Sequence, residues 1–318
     1  MLTYEELKET FCDLFPDVMG EEFEGYEVKT MPVVKRGKTL DGFTFSPKNS
    51  VKAPTVQPTY YFEDIYKSYQ SSRDIMVELC NVADSMKKAL IKGRSISSGL
   101  NLDAVKKNVV AELVNPGTAS IYINDVPHRP FLDLCIIYRW VITSDDTGVY
   151  SSIIDNRLME MTGLDEEELY SSAMKNTCRL LSPKIKSFDS VVRSVLRKNG
   201  QSEAQIRKTI GKTDPEKRVY MLTNKSGFRA SSGIIFEEVR EKIALKAESD
   251  YFIVPTSVNE CLIVPVVSGI PPECLIEMLR ESNECYLSDG EQMLSSSLYF
   301  CDADNFMISV FNMEEKIA

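Results

Sequence analysis

The chain is 318 residues long, enough to bury one large hydrophobic core or two ordinary ones. Apolar and charged fractions of 43% and 26% are those of a soluble globular protein, and a net charge of −10 argues against general affinity for nucleic acid. No apolar run approaches the ~20 residues that span a bilayer, and Met1-Leu2-Thr3-Tyr4-Glu5-Glu6 lacks the basic and apolar regions of a signal peptide, so the chain is expected in the cytoplasm and off the membrane.

Thr3 and Glu6 have capping-box spacing, and Leu7, Phe11, Leu14 and Phe15 follow at helical intervals, which predicts a first helix ending near Pro16. A hairpin is expected next: Tyr26 to Val34, a polar turn at Lys35-Arg36-Gly37-Lys38, then Leu40 to Phe45. Ser46 to Thr59, with Pro47, Pro54 and Pro58, reads as a loop leading into a short extended piece at Val56 to Tyr61. Phe62, Ile65, Tyr66 and Tyr69 form one helical stripe. After a break at Ser71-Ser72-Arg73-Asp74, Met76, Leu79, Val82, Met86 and Leu90 form another. Ile91 to Leu102 is rich in Gly and Ser and reads as a linker. It divides an N-terminal part, residues 1–100, from a main α+β domain, residues 101–318.

A short helix from Asp103 to Leu113, inward-facing through Val105, Val109 and Leu113, is expected to stop at Asn115-Pro116-Gly117. Phe131 to Ile142 is nearly continuous in apolar and aromatic residues and reads as one strand. It turns at Ser144-Asp145-Asp146-Thr147-Gly148 and resumes as Val149 to Ile154. Asp165 and Glu168 cap a helix through Leu169, Ala173 and Thr177. Val191 to Ile210 reads as a polar helix containing Gly200, within a basic helical excursion near 184–218. The best-defined core runs from Val219 to Val267. Its strands are expected at Val219–Leu222, Gly233–Phe236, Tyr251–Val254 and Cys261–Val264, with a helix from Glu238 to Ala247 that aligns Val239, Ile243 and Ala247. Pro271-Pro272 opens a helix with Leu275, Met278 and Leu279 inward, and Leu298–Phe300 pairs with Phe306–Val310. Strands that come in hairpins rather than singly between helices indicate α+β: antiparallel hairpins packed with amphipathic helices, in two lobes.

His128 is the only histidine, and imidazole is the side chain suited to neutral-pH proton transfer without a shifted pKa. It lies in the loop Asn124 to Arg129, with Asp133 nearby in sequence. One reading makes it a catalytic residue that borrows acidic groups from Asp125, Asp133 or the Pro255–Glu260 loop. The simpler one, favoured here, has His128 and Arg129 anchoring their own loop. Thr256, Ser257, Asn259 and Glu260 offer a binding loop, against the plainer account of hydroxyls that satisfy their own backbone. Asp17 with Glu27 and Lys29 matches a metal-dependent nuclease pattern, in which two carboxylates hold a divalent ion and a lysine polarises the attacking water. Its acidic surroundings repel phosphate, and so short a pattern recurs by chance. The basic segment Lys184 to Arg218 could meet RNA or an acidic partner. With Phe188 as its only aromatic residue it lacks a stacking platform, and pairing with the acidic N-terminus is preferred. Eight dispersed cysteines without a C-x-x-C, and no Gly-rich phosphate loop, leave no metal spacing and no cofactor motif. Reduced thiols, no metal and no cofactor are expected.

Four stretches carry a resemblance: Asp125-Val126-Pro127-His128-Arg129 with Phe131-Leu132-Asp133-Leu134; Glu168-Leu169-Tyr170 with Asn176-Thr177; Tyr220-Met221-Leu222-Thr223-Asn224; and Ser249 to Ser257. In these the chain resembles an uncharacterised bacterial family, a domain of unknown function common in anaerobic Gram-positive gut bacteria. The resemblance brings no activity with it. Where members often read Ser-Ser-Ile-His-Glu, this chain has Thr256-Ser257-Val258-Asn259-Glu260, and where they often read Gly-Ala-Ala it has Ala230-Ser231-Ser232. The basic stretch around Arg193 to Lys212 also looks longer than usual. The functional expectation is a non-catalytic binding, accessory or regulatory protein with a protein or small-molecule partner. An enzyme near His128, and a nuclease through Asp17, Glu27 and Lys29, are the alternatives.

Overall fold

The computed structural model describes all residues except 36–37, 49–57, 98–101, 121, 146–147, 211–217, 290–292 and 314–318, and it leaves the side chains of 34–35, 38, 91–97, 102, 144–145, 148 and 285–289 undescribed. Parts of several expected features therefore lie outside the described residues: Arg36-Gly37, most of the Ser46–Thr59 loop, Asp146-Thr147, Lys212 and Lys217. The class is α+β, with every strand pair antiparallel among the described residues. Two compact units, Met1–Asn101 and Leu102–Ala318, make up the chain.

In the first unit, α1 (Tyr4–Met19) starts at the expected capping box: Glu6 Nα–H donates to Thr3 Oγ1 at 3.3 Å and Thr3 N–H to Glu6 Oε2 at 2.8 Å. The helix continues through Pro16 instead of ending there. A helix-interior proline costs ~3 kcal/mol, but the last turn buries Phe15 and Met19 completely, and each such burial is worth roughly 1.5–3 kcal/mol. The hairpin β1 (Tyr26–Lys35) and β2 (Lys38–Pro47) pairs in continuous register, and β3 (Tyr60–Tyr61) adds to β2 opposite Gly42 and Phe43. A Cβ on Gly42 would stand 2.5 Å from Val33 Cγ2, so glycine fills a position with no room for a side chain. Next come α2 (Phe62–Ser72) and α3 (Ile75–Ser97). The expected linker at Ile91 is helical as far as Ser97, because an isolated Gly93 costs only ~1 kcal/mol in a helix. Phe11, Phe15, Phe43 and Phe62 form the centre of an aromatic core, with Phe11–Phe15 and Phe43–Phe62 ring centroids 4.8 Å apart.

In the second unit, α4 (Leu102–Asn108) ends where β4 (Val109–Val114) begins. The expected helix to Leu113 is thus half strand. Its spacing of four is even and fits a strand face equally well, and full-length pairing with β6 decides the matter. The long run from Phe131 is also two elements. β5 (His128–Phe131) turns at Leu132-Asp133 into β6 (Leu134–Asp145), and Leu132 takes a left-handed φ of 54°. β4 lies on one side of β6; β5 and β7 (Gly148–Ile153) share the other. α5 (Asn156–Thr162) escaped the sequence reading, whereas α6 (Glu166–Leu181) carries the expected Asp165/Glu168 capping box.

The basic segment is not helical throughout: β8 (Lys184–Ser187) precedes α7 (Phe188–Lys198) and α8 (Glu203–Ile210), which are separated at Gly200 with φ 78°. β9 (Tyr220–Thr223), α9 (Glu237–Ala247), β10 (Tyr251–Ser257), β11 (Glu260–Pro265), α10 (Pro272–Asp289), β12 (Tyr299–Cys301) and β13 (Ile308–Val310) follow. Six strands form one sheet in the order β13-β12-β10-β11-β9-β8.

Gly233–Phe236, expected as a strand, belongs instead to a buried 3-10 turn over Ala230–Ile235. A Cβ on Gly233 would meet Pro183 Cβ at 3.2 Å and Leu222 Cδ2 at 3.3 Å, so the turn packs backbone-close against its neighbours. It also joins the two sheets of this unit: Leu113 N–H donates to Ser232 Oγ at 3.0 Å, and Ser231 Oγ donates to Ser257 O at 2.6 Å.

Candidate functional site

The predicted residues fall into separate places. His128 opens β5 rather than lying in a loop; its ring is exposed, and Nδ1 lies 3.0 Å from Val126 O. Glu260 opens β11 in the other sheet, and no hydrogen bond or ion pair joins it to His128 among the described residues. Arg129 faces α6, where it donates to Glu166 through Nε and Nη2 at 2.7 Å each and also to Glu167, while its Cζ sits 3.9 Å from the Tyr170 ring centroid. Tyr138 OH donates to the same Glu166 carboxylate. Burial would raise the Glu166 pKa, but the Arg129 and Tyr138 hydrogen bonds outweigh it and the net shift is downward. This cluster is about one-third exposed, so solvent and salt screen much of its strength.

Asp133 does not serve His128. It accepts from Ser295 Oγ at 2.7 Å and from Tyr299 OH at 2.6 Å, fixing the β5–β6 turn to the far end of the chain. The expected Pro255–Glu260 loop is mostly strand, closed by the two-residue turn Val258-Asn259. Thr256 Oγ1 donates to Glu260 O, and Ser257 Oγ accepts from Asn259 N–H. Asp17 lies on α1, whereas Glu27 and Lys29 lie on β1 and pair with each other at 3.6 Å. No group of three His, Cys, Asp or Glu side chains that could hold a metal ion occurs among the described residues.

The strongest charge constellation is one that sequence reasoning missed. Glu112, in the middle of β4, is 1% exposed. In the antiparallel register Val110 faces Arg139, which puts Glu112 and Arg139 diagonally adjacent on one face of the sheet. Arg139 Nε donates to Glu112 Oε2, and Arg139 Nη1 donates to Ser151 Oγ at 3.3 Å. A second guanidinium arrives from a loop: Arg229 Nε lies 3.0 Å from Glu112 Oε1, outside hydrogen-bond alignment, so that contact is an ion pair only. The Phe228 ring flanks both cations, 5.5 Å from Arg229 Cζ and 6.0 Å from Arg139 Cζ.

The loop that delivers Arg229 is built by two asparagines. Asn224 bonds both the N–H and the C=O of Phe228, and Asn259 Oδ1 accepts from Arg229 N–H at 3.1 Å. Arg229 itself holds a left-handed φ of 52°. Burial alone would push the Glu112 carboxyl up; the charges of Arg139 and Arg229 and the Arg139 hydrogen bond reverse this and hold it below the ordinary range. The carboxylate is therefore ionised at neutral pH and serves both guanidinium groups in a largely desolvated place. The remaining guanidinium nitrogen of Arg139, Nη2, has no protein acceptor among the described residues.

Two sequence features marked this constellation. Glu112 interrupts the apolar run Val109-Val110-Ala111-Glu112-Leu113-Val114, and Arg139 interrupts the otherwise apolar Cys135 to Ile142. A charge inside such a run needs a partner.

The signature of the family of unknown function DUF5688 matches residues 4–303, nearly the whole chain, and the chain belongs to that family. No curated protein and no solved structure is similar to it.

Proposed function

For this member of a family without an assigned activity, we propose a bacterial, cytoplasmic accessory or regulatory protein that acts by binding, and whose ligand or partner presents a carboxylate or phosphate to Arg139 and Arg229. The observation that carries the reading is the pair of guanidinium groups that one buried carboxylate holds side by side. Glu112 pairs with both arginines and fixes their orientation, and Nη2 of Arg139, without a protein acceptor among the described residues, is a donor for an incoming anion. A planar guanidinium held in a fixed orientation is well matched to a carboxylate or phosphate edge. The Phe228 ring, against both cations, limits the water that competes for them. No proton transfer or bond cleavage is needed for this reading. No helix of the described residues is long and apolar enough to cross a membrane.

Inorganic phosphate, sulfate and citrate, titrated while thermal unfolding is followed by Trp140 fluorescence, test the reading. A specific site at a hundredfold ligand excess over Kd stabilises by about 2.7 kcal/mol. The shift should disappear in Arg139→Lys, which keeps the charge and loses the planar fork. If no anion raises the midpoint beyond sodium chloride at matched ionic strength, the anion reading fails.

A further inference from the structure

α7 is the most clearly two-sided helix in the molecule, yet none of its residues is buried. Phe188, Val191, Val192, Val195 and Leu196 recur at three- and four-residue steps and form one apolar stripe. Phe188 is 40% exposed and Val195 50%. An amphipathic helix ordinarily forms because it has something to cover. Here the stripe leans on α8, β8 and β9 without being buried by them. Its rim is cationic, with Lys184, Lys186, Arg193, Arg197 and Lys198 around it. Residues 184–218 contain ten Lys and Arg against four Asp and Glu, a net of +6 in a chain of −10.

The same chain carries the opposite pattern. On α1, Leu14 is 37% exposed, with the exposed acids Asp13 and Asp17 beside it and Glu6 and Glu9 farther along the same helix. Residues 1–25 hold eight acids and a single lysine, a net of −7. One surface has an apolar centre with a cationic rim, the other an apolar centre with an anionic rim. We infer that α7 docks on the outer face of α1 in a second copy of this chain. A protein surface matches the occupant better than a lipid surface does: the apolar area on offer is two half-exposed side chains, and the chain's overall negative charge is repelled by anionic headgroups.

Because the two surfaces differ, the contact is head-to-tail. It leaves one free α7 and one free α1 on every pair, so association proceeds beyond the dimer unless the rotation closes a ring.

Sedimentation velocity of the full chain, over a range of concentration at low and high ionic strength, tests this. The expected result is a mass average above the monomer that falls as salt screens the rims. Val195→Glu on α7 and the double variant Glu9→Lys/Asp13→Lys on α1 should each weaken self-association roughly tenfold or more. Both alter exposed positions, and unchanged thermal midpoints will verify that they fold. Mixing the two variants is the sharpest arm. Each retains the surface that the other has lost, so the mixture should form a dimer and nothing larger. A monomer at every concentration and low salt overturns the inference, as does association untouched by both variants. Binding of the wild type to phosphatidylcholine/phosphatidylserine vesicles without self-association, lost in Val195→Glu, would assign α7 to a lipid surface instead.

Discussion

Replacing Glu112 by alanine removes the carboxylate with which both Arg139 and Arg229 pair. Both side chains are largely withdrawn from water, at 11% and 16% exposed, against 2% for Glu112. Breaking a buried pair by deleting one partner typically costs about 3–5 kcal/mol, because the remaining charge stays buried and uncompensated. Two cations remain here, repelling each other, but each retains some solvent, so the lower end, about 3 kcal/mol, is the expected loss. The chain's single tryptophan, Trp140, lies on β6 one residue from Arg139. Its fluorescence therefore follows this sheet and not the first unit, which matters because a two-unit chain need not unfold in one step. With a urea m-value of about 2–3 kcal/mol/M, the tryptophan-detected midpoint should drop by about 1–1.5 M.

The pH dependence adds a second, independent test. A carboxylate whose pKa is lowered in the folded state contributes its full stability above the unfolded value of about 4.3 and loses it as pH falls through the folded value. Wild type should therefore lose this contribution only below ordinary glutamate pH, and Glu112→Gln should lack that part of the acid sensitivity altogether. A midpoint change under about 0.3 M urea for the alanine variant, equivalent to less than ~1 kcal/mol, would refute the claim that this triad holds the sheet.

Two further substitutions probe what joins the elements. Thr177 Oγ1 accepts from Ala111 N–H at 2.8 Å and donates to Ala173 O at 2.7 Å, tying α6 to the middle of β4. Thr177→Val is close in shape but leaves a strand amide buried without a partner, at a cost of about 1–3 kcal/mol; hydrogen exchange at Ala111 should accelerate accordingly. Asp133→Asn keeps an acceptor but removes the charge that strengthens the Ser295 and Tyr299 bonds. About 1–2 kcal/mol should be lost, and a double-mutant cycle with Tyr299→Phe should show coupling rather than additivity.

What could be read from the sequence was what depends on near neighbours. Both capping boxes, Thr3/Glu6 and Asp165/Glu168, formed as their spacing required, since they involve residues three apart. The β1–β2, β6–β7 and β10–β11 hairpins followed from apolar runs facing each other across polar turns. Misreadings arose where one pattern served two periods. Val105, Val109 and Leu113, four apart, fit a helix face and a strand face alike, and pairing with β6 chose the strand from Val109 onward. Gly233–Phe236 has a strand's composition, but its neighbours close in as a 3-10 turn. The Glu112 constellation was visible only as charges in the wrong place, because what resolves it is an arginine on another strand and one in a loop much farther along. Asp133 drew notice as a companion to His128, whereas its partners lie more than 160 positions away.

That last contact bears on how the protein is made. Strand β10 is flanked by β11 on one side and β12 on the other, and of the strands of this sheet β12 leaves the ribosome after all but β13. Until Tyr299 has emerged, β10 presents an open edge and the Asp133 carboxylate waits for both of its donors. The first unit, with its own aromatic core complete by residue 90, can fold while synthesis continues. The second stays unsealed until β12 has emerged. A nascent chain stalled before β12 therefore offers an unpaired, apolar strand edge to its neighbours on the polysome, the kind of surface that aggregates and that chaperones are recruited to shield.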